Sequence, residues 1–218
     1  MAMELIDLGA SRSFPDLSTL RDASAAWRGT MILGGDPVAR ARALAGRDLS
    51  SEAAIAVELH TECLGLYLGE QEDTVVNVVG FSRYRLGRAA ATDLVEVVRT
   101  RATSQSVIAA IHALFNGMGL STAVCADAPG RIVDYLLRPY LNAALASVDE
   151  GLAPPEEMDM ALRLGLGHPL GPIELLHATG MEEHYRVSSE LYEALGSLRF
   201  NPARRARARA WRTAIGLD

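Results

Sequence analysis

The chain contains no lysine; all 21 of its basic residues are arginine. That excludes Schiff-base chemistry through a lysine amine, and it leaves any ligand phosphate to guanidinium groups or helix N-termini. Cysteine is equally scarce. Cys63 and Cys125 stand in no CxxC pair and beside no metal-spaced histidine, so two reduced, mostly buried thiols and no metal site are expected. No apolar run approaches the ~18 residues that span a bilayer. The opening Met1-Ala-Met-Glu-Leu-Ile-Asp lacks the basic start and apolar centre of a secretory leader. A cytoplasmic protein without membrane segments is the expectation. The net charge of −6 argues against binding to a nucleic-acid backbone.

What is present is 218 residues, 49% of them hydrophobic, enough for one large core or two small ones. Short apolar or β-branched runs alternate with helical patterns in the first half, which predicts βα units and a parallel sheet. The strand candidates are Glu4–Leu8, Thr30–Leu33, Ala53–Leu59, Thr74–Phe81, Leu94–Arg99 and Ser121–Ala126. Between them, helices are expected at Asp16–Trp27, Pro37–Leu44, Glu62–Leu68 and Ser104–Met118, with Asp36 and Ser104 as caps.

The pattern turns all-helical after Asp127. Ile132, Val133, Leu136, Leu137, Tyr140, Leu141, Ala144 and Leu145 recur at helical spacing, predicting one long helix to about Glu150 with Pro139 inside it. Further helices are expected after Pro154-Pro155, up to Ala178, over Glu182–Leu195 and over Ala203–Ile215. Two domains follow: an α/β domain over 1–126 and a helical domain over 127–218.

Three stretches carry a family likeness. Asp127-Ala-Pro-Gly-Arg-Ile-Val-Asp-Tyr-Leu-Leu-Arg-Pro-Tyr-Leu-Asn142 is similar to D-x-P-G-F-I-V-N-R-L-L-x-P-Y-L-N. Gly165-Leu-Gly-His-Pro-Leu-Gly-Pro-Ile-Glu-Leu175 is similar to G-x-G-Y-P-M-G-P-F-E-L. Leu94-Val-Glu-Val-Val98, with Ala102-Thr-Ser104 behind it, is similar to L-V-E-V-V followed by A-T-S. In order and spacing these resemble the 3-hydroxyacyl-CoA dehydrogenases. The resemblance implies α/β plus all-α architecture: a truncated Rossmann-like parallel sheet followed by a helical dimerisation domain, with a homodimer formed through the C-terminal helices.

The departures bear on function. A dinucleotide site needs G-x-G-x-x-G directly after the first strand. Leu8-Gly-Ala-Ser-Arg-Ser and Leu33-Gly-Gly-Asp-Pro do not supply it, so the family's opening βαβ region reads as deleted or remodelled. The family's histidine, a general base held by a glutamate, falls at Ser82, while the glutamate is kept as Glu96. Its carbonyl-holding asparagine falls at Asp134, where a carboxylate would repel a developing oxyanion. Its asparagine-threonine-serine-serine loop corresponds loosely to Leu59-His-Thr-Glu62, and its closing glycine-rich segment is absent.

Several other residues invite a role. His60, if it reaches Glu96, would re-form a base–orienter pair. Thr61, Arg83 and Arg85 are candidates for binding an acidic ligand group, Arg83 and Arg85 within a basic cluster with Tyr84 and Arg88. The Arg204–Arg209 run reads as a helix face that pairs with acidic neighbours. His168 and His177 read as capping or packing groups, and no role follows for His112 or His184. The leading expectation is a relative that has lost NAD-dependent hydride transfer and acts as a dimeric ligand- or partner-binding protein, the ligand an acyl-CoA or a small acid. An active dehydrogenase with an altered cofactor site is the alternative, and only that reading calls for NAD. A CoA-thioester enzyme using His60 and Glu96 as acid and base is the third.

Overall fold

The computed structural model describes residues 3–22, 27–50, 53–69 and 75–217. It divides into two compact units, Met1–Arg85 with Ala91–Arg131, and Leu86–Ala90 with Ile132–Asp218.

The first unit is built on a six-stranded sheet: β1 (Glu4–Asp7), β2 (Thr30–Leu33), β3 (Ile55–Glu58), β4 (Val78–Arg83), β5 (Leu94–Arg99) and β6 (Ser121–Ala126). Neighbouring strands follow chain order from β1 to β6. All pairs are parallel, as the alternating pattern implies, except β4 with β5, which run antiparallel. The expectation of a uniformly parallel sheet fails at that one junction because no crossover helix separates the two strands. A parallel return needs such a connection, whereas an antiparallel one does not.

Both faces of the sheet are covered, so most strands read as continuous apolar runs and not as alternations. On one face, α4 (Gln105–Gly117) buries Val107, Ile111, Leu114 and Phe115 against Met31, Leu33, Val79, Phe81 and Val97. On the other, α2 (Pro37–Leu44) and α3 (Gly65–Leu68) flank a cluster of Ile32, Leu44, Ile55, Val57, Leu64, Val78 and Val98. The remaining helix, α1 (Ser18–Asp22), lies in the segment read as Asp16–Trp27; residues 23–26 of that reading are outside the described ones, as is Thr74 of the fourth strand. The helix read as starting at Glu62 starts at Gly65, because the Asp127 carboxylate accepts from the Leu64 and Gly65 amides (2.7 Å each).

The second unit holds α5 (Val133–Asp149), α6 (Pro155–Leu166), α7 (Pro172–Thr179), α8 (Met181–Leu195), a 3-10 turn at Leu198–Phe200, and α9 (Arg204–Ala214). The helix α5 runs on through Pro139. The core collects Leu141, Leu145, Ile173, Leu176 and Ala206. The Gly-Pro-Ile-Glu turn now has a physical reason. Asp159 accepts from the amides of Ile173 (2.9 Å) and Glu174 (2.8 Å), capping α7 from α6, and a Cβ at Gly171 would stand 2.2 Å from the Asp159 side chain. Replacing Asp159 with alanine leaves those helix donors unsatisfied and should lower stability by about 1–2 kcal/mol, read as a shift in the urea midpoint. Among the described residues no helix is long and apolar enough to cross a membrane.

Candidate functional site

In an antiparallel pair, residues directly opposite share a face and bring their side chains within contact range. Ser82 on β4 lies opposite Glu96 on β5. Both are buried, on the face that also carries Val78 and Val98. Ser82, set by the resemblance at a histidine's position, thus faces Glu96, and a serine hydroxyl has no basicity near neutral pH. What Glu96 meets is a cation. Arg131 Nε donates to Glu96 Oε2 at 3.1 Å, and the two side chains are only 3% and 1% exposed.

Arg131 stands where the D-x-P-G-F-I-V-N motif has phenylalanine. It is the one non-glycine residue with positive φ (+54°) among the described residues. Such a backbone costs a bulky residue of order 1 kcal/mol and persists when its surroundings over-determine it. Here the Arg131 amide donates to Ala128 O (3.0 Å), the Gly130 amide donates to Thr61 O (3.1 Å), and the guanidinium is drawn to Glu96. A buried carboxylate needs a partner. Beside the short Ser82 hydroxyl, an arginine 35 residues along the chain is that partner. A guanidinium is a donor with no acceptor lone pair, so Arg131 cannot replace an imidazole as the proton acceptor beside Glu96. Arg131 Nη1 is left buried without a hydrogen-bond partner.

His60 does not join Glu96, so the base–orienter pair envisaged from the sequence does not form. Its charged neighbours are Arg40, Glu62, Glu58 and Arg12. Burial first, then Arg40, holds the imidazole below its ordinary value. Its Nε2 is buried without a hydrogen-bond partner. Around it lies a polar network that the sequence does not announce. Glu62 Oε1 accepts from Arg40 Nη2 and from the Tyr67 hydroxyl, both at 2.7 Å. Arg40 Nη1 donates to the carbonyls of Gly34 and Gly35. Glu58, fully buried, accepts from the Ser11 hydroxyl and from the amides of Ser13 and Gly34.

This network occupies the carboxyl ends of β1–β3, where a doubly wound sheet binds a dinucleotide at the reversal of its strand order. Among the described strands the order never reverses. The glycines serve chain packing: a Cβ at Gly34 would meet Gly9 O at 2.2 Å. The helix starts are occupied by the chain's own carboxylates. Asp16 accepts from the Ser18 amide at the start of α1, Asp36 from the Ala39 amide of α2, and Asp127 from the two amides at α3. Each would repel a pyrophosphate and already uses the donors it needs. These residues do not fit a dinucleotide.

The other candidates resolve individually. The Arg83 guanidinium is held by Thr92 O and Asp93 and lies 5.8 Å above the Phe14 ring. Arg85 is met through its carbonyl by Arg12 (3.3 Å), and Thr61 through its carbonyl by Gly130. Burial, aided by nearby carboxylates, pushes both Cys63 and Cys125 up to about 11, which leaves them inert thiols at neutral pH. No group of three or more metal-ligating side chains occurs among the described residues.

In the helical unit, Asp134 is not an unpaired charge. Arg138 Nε donates to Asp134 Oδ1 at 2.8 Å, one helical turn on, which removes the repulsion expected of that carboxylate. Arg138 also meets His184 Nδ1 (3.3 Å), and His184 Nε2 meets Asn142 Oδ1 (2.9 Å). His184, given no role by the sequence, thus lies at the centre of a buried polar chain. The arginine run of α9 pairs as its composition suggested, with Arg204 and Arg205 both bound to Asp149.

Residues 130–212 match the family described as 3-hydroxyacyl-CoA dehydrogenase, C-terminal domain. That stretch is similar to the C-terminal domain of the 3-hydroxyacyl-CoA dehydrogenases. The chain is 35% identical over 109 residues to a probable 3-hydroxybutyryl-CoA dehydrogenase of Bacillus subtilis, a match covering 50% of this chain and 38% of that protein. It is 40% identical over 89 residues to the human mitochondrial hydroxyacyl-coenzyme A dehydrogenase, covering 41% of this chain and 28% of the other. The matches therefore span well under half the length of these curated relatives. The fold is similar to that of the crystal structure of a Ralstonia eutropha (S)-3-hydroxybutyryl-CoA dehydrogenase, with a TM-score of 0.69 at 24% identity over 86% of this chain and 65% of that one. A 3-hydroxybutyryl-CoA dehydrogenase from Escherichia coli gives 0.66 at 18% identity, covering 99% of this chain and 57% of the other. The Rossmann-like sheet followed by a helical domain is thus a fold shared with these solved structures.

Proposed function

We propose that this dehydrogenase relative does not perform NAD-dependent hydride transfer and works as a homodimeric binding protein for a small acidic or acyl ligand. The observation that carries the proposal is the buried Glu96–Arg131 pair beside Ser82. Hydride transfer from a hydroxyl requires a base to take the proton, and the group that would orient a base here is neutralised by a cation that cannot serve as one. The carboxylates at the starts of α1, α2 and α3 support the same reading for the cofactor. A ligand role draws on two buried groups that lack partners, Arg131 Nη1 and His60 Nε2, on loops tied by the Thr61–Gly130 hydrogen bond. Native structures leave few such groups unsatisfied, and a ligand oxygen is a fitting partner for a guanidinium.

The dimer draws on the second unit. Along α5 and α6, Leu136 (67% exposed), Met160 (54%) and Leu164 (80%) stand in solvent, with Leu152 (73%) between the two helices, more apolar surface than a small monomer usually shows. A cytoplasmic location belongs to the same proposal and accords with two unpaired thiols. An active 3-hydroxyacyl-CoA dehydrogenase remains the alternative, and its support is the family relationship itself.

Calorimetric titration with NAD and NADH separates the two. The proposal expects no saturable heat up to about 1 mM, a Kd weaker than roughly −4 kcal/mol of binding free energy. Saturation in the micromolar range would overturn it. Light scattering should give twice the chain mass; a monomer would remove the dimer from the account.

A further inference from the structure

The six-stranded sheet ends in two edges of different character. At one, β1 is four residues long and carries a carboxylate at each end, Glu4 and Asp7. At the other, β6 runs for six residues, Ser-Thr-Ala-Val-Cys-Ala, without a charge, a proline or a break in its register with β5. Short length, charge, proline and bulges are the devices that keep a sheet edge from pairing with another chain. β1 has two of them and β6 has none. Among the described residues no strand pairs with the outer side of β6. Val124, within it, is 38% exposed.

One hydrogen bond fixes which backbone groups of β6 point outward. The Ser121 amide donates to Asp93 O (2.8 Å), so Ser121 faces β5. Backbone groups alternate sides along a strand, so Ala123 and Cys125 face β5 as well. Thr122, Val124 and Ala126 therefore turn N–H and C=O away from the sheet. That set is self-complementary. An antiparallel copy related by a twofold axis at Val124 sets Val124 against its own counterpart, and Thr122 against Ala126 on either side. Each facing pair exchanges two hydrogen bonds, about six in all. Moving the axis to Ala123 gives up one facing pair. The side chains agree with the register: no charges meet, and valine opposite valine is a favourable cross-strand pair.

We propose that β6 is a self-pairing edge, on which a second copy of this chain docks antiparallel about a twofold axis at Val124. The sheet then continues from one copy into the next. A single strand pair buries far less than the ~1,600 Å² of a standard interface, so the association is weak, with a Kd of about 100 µM. It is separate from the dimer proposed for the helical unit, which persists at low micromolar concentration; the β6 contact forms at higher concentration.

The test is sedimentation velocity of the full chain at about 10 µM and about 1 mM, with amide hydrogen exchange over 121–126 at both. The sedimentation coefficient should rise with concentration. Exchange at the Thr122, Val124 and Ala126 amides should slow about fourfold, the change in unpaired β6 that such a Kd implies. Val124→Lys puts a charge on the edge, and Val124→Pro removes an outward amide that β5 does not use; both should abolish the rise and the slowing. Val38→Lys, at an exposed position on α2, should behave as wild type. If Val124→Pro fails to unfold cooperatively, Val124→Lys alone carries the test. Without the helical-unit dimer the same rise would start from a monomer, so the two interfaces fail separately. A coefficient flat up to about 1 mM would leave the edge to a partner other than this chain and overturn the proposal. A rise that survives both Val124 variants, or slowing confined to the amides that face β5, would overturn it too.

Discussion

Replacing Arg131 with methionine should cost about 3–5 kcal/mol of stability, among the largest effects open to a single substitution in the first unit. The change removes the cation but leaves Glu96, 1% exposed, inside the sheet face. Glu96→Leu should cost a similar amount, since it strands a buried guanidinium whose Nη1 already lacks a partner. The double variant Glu96→Leu/Arg131→Met removes both charges and should recover most of the loss, because apolar residues of like volume replace buried pairs with little net change. Urea unfolding of the four proteins completes the cycle. A coupling energy of several kcal/mol is expected; one below about 0.5 kcal/mol would mean that the two residues act independently.

The second large effect is a dependence on pH. Burial, and then the Arg138 charge, depress His184 to about 3 from an ordinary value of 6.5. Its neutral ring fits the observed contacts, accepting from Arg138 at Nδ1 and donating to Asn142 from Nε2. A depressed histidine binds its proton in the unfolded chain before it does so in the folded one. Its contribution is therefore complete above about pH 6.5 and is lost as the pH falls towards 3. Between pH 7 and pH 4.5 that amounts to about 3 kcal/mol at 1.36 kcal/mol per pH unit. His184→Gln keeps a neutral donor and acceptor without the titration. The stability difference between wild type and variant should therefore shrink by that amount as acid is added. A difference that stays flat over the same range would show that His184 does not titrate as described.

The sequence is legible where local pattern decides. Thr30–Leu33, Leu94–Arg99 and Ser121–Ala126 are strands over the very residues their apolar runs mark, and Pro37–Leu44 begins where an aspartate cap meets a proline. It is silent where partners are distant. Apolar runs carry no strand direction, so the antiparallel β4–β5 junction is invisible until Ser82 is seen opposite Glu96. Glu96 itself is legible through the L-V-E-V-V motif. Arg131 departs from that family's phenylalanine in plain view, but a substitution acquires meaning only when the side chain's reach is known. Glu58 and Arg40 escape notice for a related reason: their partners include backbone groups of Ser13, Gly34 and Gly35, and backbone groups leave no trace in composition.

The Glu96–Arg131 pair and the carboxylates at the helix starts together support the proposal that this chain does not carry out NAD-dependent hydride transfer. Its most direct test follows absorbance at 340 nm, the NADH band, with (S)-3-hydroxybutyryl-CoA and NAD at pH 8 and micromolar protein. The account predicts no NADH above the protein-free rate. NADH formation that scales with protein concentration and disappears in Glu96→Gln would contradict it.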